Sequence, residues 1–74
     1  MKPDRKAARD FVKSINTRSD LEQYLDMLYL TDEEHEIAML LFGKGYSRTR
    51  IAIETGYSEY QIQRNIARIY DRIL

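Results

Sequence analysis

Glu59, Tyr60, Gln63 and Arg64 fall close together in the last third of a 74-residue chain, one, three and four positions apart. On a helix that spacing turns their side chains toward one outward side. Together they form a hydrogen-bonding kit: a guanidinium donates two parallel bonds, a carboxamide both donates and accepts, a carboxylate accepts, and a phenol offers a ring and a hydroxyl. The edges of nucleic-acid bases present matching patterns, which suit Arg64 to guanine, Gln63 to adenine, Glu59 to the amino group of cytosine, and Tyr60 to a thymine methyl or a phosphate. A second set, Ser47, Arg48, Thr49, Arg50, Ser58 and Arg68, combines hydroxyls, guanidinium groups and helix starts, the chemistry that grips phosphate. Lys44 and Tyr46 belong to the same rim, and Tyr46 also suits packing beneath a turn. The plainer reading of Glu59, Gln63 and Arg64 is an ordinary solvated helix surface.

Other chemistry is poorly represented. With no cysteine there is no disulfide, thiolate nucleophile or zinc knuckle, and a reducing cytoplasm is the expected setting. His35 is the only histidine and sits between Glu34 and Glu36, where an exposed structural role fits better than metal ligation. No glycine-rich phosphate loop or nucleophile with a paired base occurs, so neither an enzyme nor a cofactor or metal is expected. The longest apolar run, Ile37 to Phe42, has six residues, against the roughly 20 of a membrane span, so no membrane partner is expected either.

Twelve basic and twelve acidic residues cancel, yet their order matters. Residues 1–18 balance at +4, residues 19–42 at −7 with no Lys or Arg, and residues 43–74 at +3. A polyanion responds to the field over the contact face, and charge more than a Debye length away, roughly 8 Å in physiological salt, is largely screened. The acidic block reads either as a solvated surface or as a partner-binding one. Lys2, Arg5, Lys6, Arg9 and Lys13 form another basic set at helical spacing, suited either to extending a nucleic-acid contact or to pairing with the acidic block, within the fold or in a dimer.

The elements that position these groups are helical throughout, with no strand signal. Ala7, Ala8, Phe11, Val12 and Ile15 define the inner face of a first helix from about 4 to 15, with Pro3 suited to its first turn. Ser19 and Glu22 form a capping box, so a second helix starts near Asp20 with Leu21, Tyr24, Leu25 and Leu28 inward. Thr31 and Glu34 repeat the box, and Ile37, Ala38, Leu40 and Leu41 face inward up to Phe42, where Gly43 closes the third helix. Ser47 caps a short fourth helix with Ile51 and Ala52 inward, stopped by Gly56. Ser58 and Gln61 open a fifth, along which Ile62, Ile66, Ile69 and Ile73 make an apolar stripe. Tyr24, Tyr29 and Tyr70 suit core or subunit contact. The expected architecture is all-α: one domain, 1–74, of about five helices, with N-terminal helices in 1–29 and a helix-turn-helix unit in 30–74.

That second unit carries a resemblance. Leu30-Thr31-Asp32-Glu33-Glu34 opening a helix, then Gly45-Tyr46-Ser47, Ile51-Ala52 and Gly56-Tyr57-Ser58, resembles the fourth region of bacterial sigma factors and related small phage and plasmid regulators. The resemblance covers about 45 of the 74 residues, and its motifs are shared across many helix-turn-helix families. It implies promoter-type recognition by the helix corresponding to residues 59–73, with contact to RNA polymerase. The other sigma regions are missing, and Asn65 stands where the family places an apolar residue, with Ile66 available to take over that packing. The expectation is a sequence-specific transcription regulator binding double-stranded DNA through the major groove, pairing as a homodimer over the isoleucine stripe and helix one. Two alternatives stay open: a module docking on RNA polymerase or another transcription factor, and the DNA-recognition part of a phage packaging protein.

Overall fold

The computed structural model describes residues 5–74. Lys2, Pro3 and the start of helix one at position 4 lie outside the described residues. The protein is all-helical, with α1 (Arg5–Lys13), α2 (Arg18–Asp26), α3 (Asp32–Ala38, continued by a wide turn, Met39–Gly43), α4 (Arg48–Thr55) and α5 (Glu59–Ile73), and no strand among the described residues. Nor is any helix there long and apolar enough to cross a membrane.

Three helix starts follow from local sequence. Thr31 accepts from the Glu34 N–H at 3.1 Å while the Glu34 carboxylate accepts from the Thr31 N–H at 2.9 Å, a reciprocal box that satisfies two otherwise orphaned donors. Ser58 and Gln61 make the same exchange at the head of α5, each bond 3.1 Å long. Ser47 caps α4, and Gly56 ends it in the left-handed region at φ 79°. The start of α2 corrects the expectation: Thr17, not Ser19, is the cap, accepting from the Asp20 N–H at 3.1 Å. The chain is already extended at Thr17, with φ −117° and ψ 153°, so the helix begins two residues early and Ser19 lies inside its first turn.

The end of α3 departs further. Its backbone widens over Met39–Gly43 into a π-type turn, in which the Lys44 N–H donates to the Met39 carbonyl at 3.2 Å. Ala38 and Phe42 are buried, Phe42 edge-on to Tyr70, while Leu40 and Leu41, expected inward, are only half-buried. Gly43 therefore does not take the left-handed closing conformation; Gly45 does, at φ 69°.

All five helices contribute to one core, in which Val12, Leu25, Ile37, Ile51, Ile62 and Ile69 are fully enclosed. The α5 stripe is its axis, packed by α3, α4 and α1. Ile62, Ile66 and Ile69 are thus interior and offer no surface to a second subunit, a correction to their expected use in a dimer. On α1 only Ala8 and Val12 are buried; Ala7 is exposed and Phe11 is 55% exposed, its ring edge-on to Tyr24 at 5.5 Å. Asn65 is buried beside Ile66 instead of ceding its place. Tyr70 joins the core, Tyr24 is half-buried and Tyr29 is exposed. His35 is half-buried, its Nε2 lying 3.2 Å from Asp26 Oδ1 at the end of α2 without a hydrogen bond, so it is not a free surface group. Among the described residues, Arg50 is ion-paired with Glu54 and the His35 ring lies against Asp26, and no ion pair joins α1 to the acidic block.

Candidate functional site

The connection between α4 and α5 has three residues, Gly56–Ser58, too few for the two helices to run back alongside each other. A cross-link joins their first turns: the Thr49 hydroxyl of α4 donates to the Glu59 carboxylate of α5 at 3.0 Å. Thr55 Oγ1 donates back to the Ile51 carbonyl at 2.7 Å and receives the Tyr57 N–H at 3.3 Å, which fastens the corner from inside. Tyr57 is half-buried there; burial raises its phenol pKa, with the nearby Glu36 and Glu33 carboxylates acting in the same direction.

Both helix starts open onto an exposed concavity of about 390 Å³, lined by Ser47, Arg48, Thr49, Glu59 and Gln63. Three residues expected to grip phosphate and two expected to meet base edges thus share one surface. Tyr60 and Arg64 stand on the outward side of α5, with the guanidinium carbon 5.7 Å from the ring centroid. Tyr60 is 68% exposed, which leaves its second face open. The cap hydroxyls of Ser47 and Ser58 accept backbone N–H bonds from Arg50 and Gln61, at 3.2 and 3.1 Å.

Two expected phosphate ligands lie elsewhere. Arg50 is held by Glu54, Nε to Oε1 at 2.9 Å, and its guanidinium stacks 4.8 Å from the Tyr46 ring centroid. The Glu54 bond and charge raise the Arg50 pKa. Lys44 approaches the same ring at 5.8 Å, so Tyr46, half-buried, is a platform for two cations. Arg68 lines a separate open concavity with Thr31, Glu34, Asp71 and Arg72, on the side of α5 turned toward the start of α3.

Sequence reasoning missed three features. Ile53 is 72% exposed on α4, where hydropathy alone assigns an isoleucine to the core. Arg72, four residues beyond Arg68 and beside it, was readable from that spacing. The Asn65 Nδ2 bond to Glu33 Oε2 at 3.2 Å joins α5 to α3 across 32 residues, a separation at which no local pattern speaks. The chain matches no protein-family model, no curated protein and no solved structure.

Proposed function

We propose that the protein is a sequence-specific DNA-binding regulator in which α4 and α5 act as a helix-turn-helix and the first two turns of α5 enter the major groove. The observation that carries this reading is the shared concavity, where Ser47, Arg48 and Thr49 meet Glu59 and Gln63 while Tyr60 and Arg64 project beside them. A reading helix needs this pairing: base-edge donors and acceptors at the helix start, with phosphate ligands on one side to set its depth and register. Arg64 and Gln63 then supply bidentate contacts to guanine and adenine, and Arg48 sets affinity more than preference. The resemblance to sigma region four fits the same use of residues 59–73.

The test is selection from a random duplex pool. An enriched motif of a few base pairs supports the reading, and a palindromic one adds a symmetric dimer. Arg64→Ala weakens binding to the selected sequence by about 1–3 kcal/mol and relaxes preference at one position. No enrichment by the folded protein overturns the reading. A second reading, docking on RNA polymerase or another transcription factor, is favoured by the net charge of zero and by the seven acids of residues 19–42, of which Asp20, Glu22, Asp26, Asp32 and Glu36 are exposed. Arg64→Ala separates the two, since docking through that acidic surface is indifferent to it.

A further inference from the structure

The cations of α1 occupy one side of that helix. Arg5, Arg9 and Lys13 recur every fourth residue with Lys6 between them, all exposed, whereas Ala8 and Val12 face the core. Ala7 and Phe11 lie on the opposite side, beside Ile73 and Leu74. The helix therefore has an apolar side and a basic side, and only one acid, Asp10, lies within it.

The basic side adjoins α5. The Arg5 guanidinium carbon lies 5.4 Å from the Tyr70 ring centroid, and Arg9 is close enough for its charge to act on the Tyr70 hydroxyl. Tyr70 follows Gln63 by seven residues, two helical turns, so both lie on the same face of α5, about 10 Å apart along its axis. Gln63 borders the concavity that holds Arg48 and Thr49. One side of α5 thus leads from the phosphate-type groups of α4 to the cations of α1. Despite seven acids in residues 19–42, no ion pair engages Arg5, Lys6, Arg9 or Lys13 among the described residues.

We propose that the Arg5, Arg9 and Lys13 side of α1 binds the phosphate backbone of the same duplex that α5 enters, lengthening the footprint beyond the contacts made at α4. The inference rests on the DNA-binding reading above. These contacts add affinity without sequence preference, because a phosphate is the same at every step.

The test is the double variant Arg9→Ala with Lys13→Ala, which leaves Arg5 on Tyr70 and removes only exposed charge. Affinity for the selected duplex and for a scrambled one is measured across salt concentrations. Each lost phosphate contact lowers the slope of log affinity against log salt by about 0.9 and weakens binding roughly fivefold at 0.15 M salt, equally on both duplexes. Their ratio stays constant, whereas Arg64→Ala changes it. Unchanged affinity and slope, in a protein that still prefers the selected duplex, overturn the α1 contact alone. Loss of the ratio instead assigns α1 a different role and overturns the proposal as well. Absence of duplex binding by the unsubstituted protein overturns this proposal and the DNA-binding reading together.

Discussion

Asn65 supplies a polar link within the otherwise apolar α3–α5 contact. Only 4% exposed, it donates from Nδ2 to the Gln61 carbonyl at 2.8 Å and to Glu33 Oε2 at 3.2 Å, while its Oδ1 has no partner. An unsatisfied buried acceptor costs about 1–3 kcal/mol, a penalty that an apolar side chain of similar size does not incur. Asn65→Ala removes the cross-link and leaves a void, with an expected loss of about 2 kcal/mol in urea unfolding. Asn65→Leu fills the site and relieves the orphan oxygen, so its change stays within about 1 kcal/mol of the parent. A loss from Leu as large as that from Ala would show that the Glu33 bond, not packing, holds the two helices. The sequence marks Asn65 as out of pattern, but its partner stands 32 positions away and follows only from the crossing of α3 and α5.

Among the elements, the beginnings of α3, α4 and α5 were legible, while the start of α2 and the end of α3 were not. The boxes at Thr31 and Ser58 close over three residues, so their chemistry is complete within a short window. The end of α3 depends on where Phe42 meets the core, and that contact, with Tyr70 edge-on at 5.9 Å, is tertiary. Gly43 and Gly45 both fit a stop signal, and only the wide turn decides that the left-handed one is Gly45. Substitution separates these cases. Gly56→Ala meets no atom within 4 Å of the new Cβ, but its φ of 79° makes the substitution lose roughly 1–2 kcal/mol through backbone conformation alone. At Gly43 the Cβ meets Leu21 Cδ2 at 3.4 Å and Met39 Cε at 3.9 Å, and φ is ordinary, so Gly43→Ala is neutral or gains up to about 1 kcal/mol. Thermal unfolding of the two variants checks the order. The candidate site was partly legible for the same local reason: Ser47 to Thr49 and Glu59 to Gln63 are brought together by a three-residue corner. The side taken by Arg68 depends on how α5 turns against α3, which no short window contains.

At the scale of the whole molecule, five helices fill a body of 31 × 29 × 20 Å. Burial raises the pKa of Tyr24 and of Tyr70, with the Arg9 and Arg5 charges opposing it at Tyr70. A phenol with its folded-state pKa above the unfolded value near 10 favours the fold fully below that value, and this contribution disappears as pH rises through the folded value. Stability therefore falls above pH 10. Tyr24→Phe with Tyr70→Phe keeps the rings, including the one against Phe42, and flattens the decline, as urea midpoints at pH 8 and pH 11 test. An equally steep fall in the double variant would assign alkaline unfolding to other groups. The π-type turn at Met39–Gly43 bears on the body as a whole. It holds one residue more per turn than an α-helix does, and each helical residue carries a rotation of about 100°. The wide turn absorbs that residue within one turn, so deleting one amino acid there would restore a regular coil with everything downstream facing nearly as before, whereas regularising the turn at unchanged length would screw the downstream chain around the α3 axis by that angle. In the latter case Ile51 and Ile62 would leave their sockets, so the widening is what keeps the C-terminal pair of helices aimed while the supernumerary residue is carried.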